Sequence, residues 1–186
     1  MKKARKGFTL VELMIVIGIM EILGAMGIIA GQEATSAARA AAIADNLEKL
    51  ATAGMMFYSD NAAEIDKTGK LTNADTATVV DATALAAGIN AYLKEDNEIK
   101  AGASNATDNT YFAETAGSNV DTTWWVGYKF GDSDGNDQVR RALENKAHRM
   151  KLKTEASDNG AAYTASIPGQ NDAPATQNMT VYMKIR

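Results

Sequence analysis

The chain has no cysteine, a single histidine and only two prolines in 186 residues. Without cysteine there are no disulfides, no thiolate metal ligands and no thiol nucleophile. Both prolines, Pro168 and Pro174, lie close to the C-terminus, so nothing before them forces a helix to break. The one histidine, His148, stands among Lys146, Arg149 and Lys151, a pattern that reads as a solvated basic face. No phosphate-binding glycine loop, nucleophile–base set or metal-ligand spacing occurs. The residues point away from an enzyme and require no cofactor and no metal.

Positive charge is also scarce beyond the first few residues. The chain carries 19 basic and 23 acidic residues, a formal charge of −4, and four of the basic ones fall in residues 1–7. From residue 8 onward the balance is 15 basic to 23 acidic, a formal −8. Phosphate backbones are held by Lys and Arg, so a nucleic acid is not expected as the main partner.

What the chain does have is concentrated at its start. Lys2, Lys3, Arg5 and Lys6 precede a 23-residue apolar run over 8–30, interrupted by Glu12 and Glu21. As a helix the run would measure about 34 Å at 1.5 Å per residue, enough for a bilayer core of about 30 Å. The basic cluster in front of it places residues 1–7 in the cytoplasm and the rest outside. A cleaved secretory signal would be shorter and end in a small-residue site, whereas Gly24-Ala25-Met26-Gly27 is a poor site inside a pattern that runs on. The span reads as one that is retained. A carboxylate such as Glu12 inside it costs several kcal/mol, about 3 at mid-membrane, unless something compensates.

The stretch Lys6-Gly7-Phe8-Thr9-Leu10-Val11-Glu12-Leu13-Met14-Ile15-Val16 resembles the N-terminus of a type IV prepilin. A basic leader ends in Gly, Phe-Thr-Leu-x-Glu follows, and apolar residues continue. The resemblance covers about the first 30 residues. It implies cleavage between Gly7 and Phe8 by a prepilin peptidase, and methylation of the new amine on Phe8. It also implies that Glu12 meets the amino terminus of a neighbouring chain and sets the register of a growing homopolymer. Two charges that are costly alone offset each other when paired. The reading implied is a structural subunit of a type IV pilus. It waits in the inner membrane with its C-terminus outside and is then assembled by pilus machinery into a surface filament. A type II secretion pseudopilin or a minor pilin is the alternative within the family, and a pilus-tip adhesion module is a further one. Which task the filament serves, among motility, adhesion, DNA uptake and secretion, depends on motors and partners encoded elsewhere.

The inner helix departs from the family pattern. Glu21 lies nine residues after Glu12, half a turn round in projection, and two readings stand for it. It is either a neutral carboxyl hydrogen-bonded across chains or a water-accessible position in an assembly. Ile29 occupies the region where many pilins carry proline. Gly24, Gly27 and Gly31 are spaced for close approach of helices, yet each also weakens a helix by about 1 kcal/mol relative to alanine, so packing and local melting compete as explanations.

The expected fold is α+β: a long N-terminal helix, transmembrane over 8–30 and amphipathic over 31–59, packed on an antiparallel sheet in a pilin-like head over 60–186. Ile43, Leu47, Leu50 and Phe57 form the stripe that faces the head. A second helix is expected over 81–94, capped by Asp81, and a short one over 138–147 with Val139 and Leu143 inward. Alternation predicts strands over 124–130, more weakly over 150–154, and over 179–185. Trp124 and Trp125 fall on opposite sides of the sheet, which leaves room for one of them to be exposed, with packing or subunit contact favoured over sugar binding. Asp132-Ser133-Asp134-Gly135-Asn136-Asp137 partly resembles a calcium loop, but the twelfth position is Leu143, and a polar turn before a helix explains the same residues. Asn105-Ala106-Thr107 and Asn178-Met179-Thr180 fit glycosylation sequons at the level of chance.

Overall fold

The computed structural model describes residues 8–63, 65, 70–73, 76–93, 99–118, 121–131, 135–158, 160, 163 and 180–186. One helix, α1 (Leu10–Asp60), runs for 51 residues without a break, about 75 Å. The hairpin β1 (Lys70–Asn73) and β2 (Thr76–Val79) follows, then helix α2 (Ala82–Tyr92), strands β3 (Lys100–Ala101), β4 (Thr110–Ser118) and β5 (Asp121–Lys129), helix α3 (Gly135–Met150) and strand β6 (Thr180–Lys184). The main sheet has the order β3-β4-β5-β6. Its β4-β5-β6 body is antiparallel, and the two-residue β3 joins β4 in parallel.

The helix–sheet core forms where α1 turns amphipathic. Ala40, Ile43, Ala44, Leu47, Leu50 and Ala51 are buried against Trp124, Val126, Tyr128 and Phe130 of the β5 segment and Val181, Met183 and Ile185 of the β6 segment. The stripe and the strand alternation expected from the sequence meet here. Helix α2 starts at its Asp81 cap, whose side chain accepts the Ala84 N–H at 2.8 Å. Beyond α2, Asn90 and Ile99 exchange two hydrogen bonds: the Ile99 N–H donates to Asn90 Oδ1 at 2.9 Å, and Asn90 Nδ2 to the Ile99 carbonyl at 3.2 Å. That exchange ties the end of α2 to the entry of β3.

A smaller core lies on the far face of the sheet, where Phe112, Trp125 and Tyr182 are buried with Ala106. Both adjacent tryptophans are therefore inside, one in each core, and packing accounts for both. Trp125 Nε1 donates to Thr123 Oγ1 at 2.9 Å.

The weak strand expected over 150–154 is replaced by a helix end. Helix α3 begins three residues before the expected start and continues to Met150, and Lys151 then takes the left-handed conformation at φ 53. The Leu152 N–H donates back to the Ala147 carbonyl at 3.0 Å, the closing bond of a Schellman cap, with buried Leu152 and Ala147 as its apolar contact. Only Lys153 retains strand character, exchanging two 2.9 Å backbone bonds with Tyr182. A lysine at a position that favours glycine left no signal in the sequence.

Without disulfides, the C-terminus is held by packing and pairing. The Trp124 N–H donates to the Arg186 carbonyl at 3.1 Å and the Ile185 N–H to the Trp124 carbonyl at 2.8 Å. The Arg186 guanidinium lies 4.6 Å from the centre of the Tyr58 ring, within cation–π range. Lys184 Nζ reaches Asp158 at 2.6 and 2.7 Å. Ile185 sits over Gly54, where a Cβ would come within 2.6 Å of Ile185 Cδ1. At Gly127 the fit is tighter: a Cβ would lie 2.3 Å from Phe112 Cζ and 2.8 Å from the Val181 carbonyl oxygen.

Gly127→Ala is expected to cost the head roughly 1–3 kcal/mol through overpacking, read as a lowered midpoint in denaturant titration. The head should also fail in alkali. Burial, followed by the nearby Glu114 charge, pushes the Tyr182 hydroxyl up to about 12, and burial pushes Tyr163 higher still. Both are held neutral by the fold, so their contribution is complete below the ordinary tyrosine value near 10 and is lost as pH rises through the folded values. Tyrosinate absorbance and circular dichroism should therefore change together above pH 10, and Tyr182→Phe should move that transition to higher pH.

Candidate assembly site

The start of α1 is a capping box. Thr9 is the N-cap, with an extended backbone at φ −75, ψ 154, and Glu12 is the third residue inward. The Glu12 N–H donates to Thr9 Oγ1 at 3.2 Å, while the Thr9 N–H and hydroxyl donate to Glu12 Oε2 at 2.8 and 2.9 Å. This satisfies donors that a helix start otherwise leaves open. It also puts the carboxylate at the positive end of the helix dipole. Both bonds from Thr9 fall on Oε2, and Oε1 accepts nothing from the described residues.

Phe8 stands immediately before the cap and is 89% exposed. Glu12 was expected from the sequence to be a carboxylate in search of an amine; its first partner is its own Thr9, which that reading missed. The signal was legible as Thr-x-x-Glu ahead of an apolar run. Gly7, the other residue of the expected cleavage site, lies outside the described residues together with the rest of the leader.

From Leu10 to Ile28 the large apolar side chains of α1 are uncovered, including Leu10, Val11, Met14, Ile15, Met20, Leu23 and Met26. This helix is long and apolar enough to cross a membrane. Gly24, Gly27 and Gly31 are helical, so no local break forms at them in the single chain. Their neighbourhood differs from that of the head glycines: a Cβ at Gly18, Gly24, Gly27 or Gly31 would meet nothing within 4 Å, whereas one at Gly54, Gly88 or Gly127 would meet side-chain atoms within 2.6 Å or less. Packing inside the chain explains Gly54, Gly88 and Gly127, and it does not explain the glycines of the apolar half. Glu21 is exposed on the same half.

The expected calcium loop is only partly described. Residues 132–134 lie outside the described residues, and Gly135, Asn136 and Asp137 form the first turn of α3. Among the described residues there is no group of three or more His, Cys, Asp or Glu side chains that could hold a metal ion. His148 and Arg149 are exposed on the last turn of α3, where cations suit the helix end. Asn105 is exposed in a turn, with its amide donating to the Ala101 carbonyl at 2.8 Å; the Asn178 sequon begins outside the described residues.

Removing the cap should loosen the first turn alone. Thr9→Val is expected to cost about 1 kcal/mol locally, read as faster amide exchange at Val11, Glu12 and Leu13 in detergent-solubilised chain, with exchange in α3 unchanged.

No match to the chain emerges among curated proteins or among solved structures. Residues 2–28 match the family model described as the Prokaryotic N-terminal methylation motif, the prepilin leader signature of type IV pilins and pseudopilins, which implies processing by a prepilin peptidase and assembly into pilus-type filaments.

Proposed function

We infer that the chain is the structural subunit of a type IV pilus: a single-pass precursor in the cytoplasmic membrane that polymerises into a surface filament after cleavage between Gly7 and Phe8. The observation that carries this reading is the half-satisfied carboxylate at the head of an uncovered apolar helix. Thr9 holds Oε2 and fixes the side chain, while Oε1 accepts nothing from the described residues. Cleavage turns the Phe8 nitrogen into a cation of matching charge. An amine brought to Oε1 by a neighbouring chain adds to the carboxylate's hydrogen bonding and offsets part of the desolvation cost of both groups.

The apolar half of α1 supplies the driving force. Its side chains are covered by lipid before assembly and by copies of the same helix afterwards. Helices leaving lipid gain little from hydrophobicity and associate through close packing and specific polar contacts. Gly24, Gly27 and Gly31 provide room for the first and the Glu12–Phe8 pair provides the second. The head, whose long helix carries its own core from Ala40 onward, then decorates the outside.

Glu12→Ala separates assembly from folding. The expected outcome is sheared filament yield reduced at least about tenfold, as loss of 1.4 kcal/mol or more per contact requires, with the melting temperature of the head unchanged. Filaments at normal yield would sink the pairing mechanism.

A further inference from the structure

Away from the apolar half of α1, a groove of about 400 Å³ opens on the head where α1, the end of α3 and β6 meet. Three methionines line it, one from each of these elements: Met55, Met150 and Met183. They differ in exposure, Met183 being buried, Met150 half-buried and Met55 54% exposed. Core packing accounts for Met183 and contributes to Met150, whereas Met55 lines the groove without joining either core. We propose that this groove is a binding site for a soft monovalent cation of the Cu(I) or Ag(I) class, held by methionine thioethers.

The chemistry of the lining selects that class. Neutral, polarisable thioether sulfur prefers soft d¹⁰ ions, whereas calcium, magnesium and manganese need carboxylate and carbonyl oxygen, and zinc favours thiolate and imidazole. The groove has one carboxylate, Glu48, and no histidine. The chain has no cysteine to compete for the ion. Two lysines, Lys151 and Lys184, also border it. The Lys184 ammonium is engaged elsewhere: it lies within 2.7 Å of both Asp158 oxygens and 6.0 Å from the ring of Trp125, a residue of the core on the far side of the sheet. That leaves Lys151 against Glu48, a balanced pair of charges around neutral ligands. The site is built within one head and does not depend on whether the chain polymerises.

Met56 supplies an internal control. It follows Met55 in sequence and is equally exposed at 51%, yet does not line the groove. The test is titration of the detergent-solubilised full chain, labelled at methionine methyls, with silver nitrate in chloride-free buffer. The expected result is saturable one-to-one binding with resonance shifts at Met55, Met150 and Met183 and none at Met56. Met55→Leu should weaken binding at least tenfold, and Met56→Leu should leave it unchanged. Uniform shifts across all the methionines, failure to saturate, or equal losses in the two variants would overturn the proposal.

Discussion

The structure depends on one constraint: a helix that runs unbroken from an apolar half that no described residue covers into an amphipathic half that carries a folded head. Continuity is what joins the two. Residues 10–60 contain no proline and are rich in alanine, so the helix costs little to extend. Nothing among the described residues packs on its first five turns. The second half buries Ala40, Ile43, Leu47 and Leu50 against the sheet.

The carboxylate at that end is handled in two steps. Within one chain the capping box and the helix dipole reduce the cost of Glu12 without removing it, because one oxygen has no partner among the described residues. In the proposed assembly, that remaining cost would favour an amine from a neighbouring chain over any apolar group. The same division applies to the glycines. Those of the head are filled to contact by Ile185, Phe57 and Phe112, and those of the apolar half face open space. Small size is used up inside the head and left over along the stem.

Much of this was legible in the sequence, and for identifiable reasons. The long helix, its stripe, the Asp81 cap and the strands holding Trp124 and Val181 follow periodicities that tertiary structure did not override. Strand β4 escaped notice because Thr110-Tyr111-Phe112-Ala113-Glu114-Thr115-Ala116-Gly117-Ser118 alternates poorly; its place is set by nine register pairs with β5. The hairpin of β1 and β2 is too polar to announce itself. The segment over 150–154 misled because its alternation was shared between a helix end and a buried cap residue, Leu152. At the candidate assembly site the residue types are plain in the sequence, and the Thr-x-x-Glu spacing there serves the chain's own helix start.

The most direct measurement is mass spectrometry of filaments sheared from cells that make this chain. The dominant polypeptide should begin at Phe8 and carry a methyl group on its amino terminus. Abundant filaments lacking this chain, or a chain that retains residues 1–7, would contradict it.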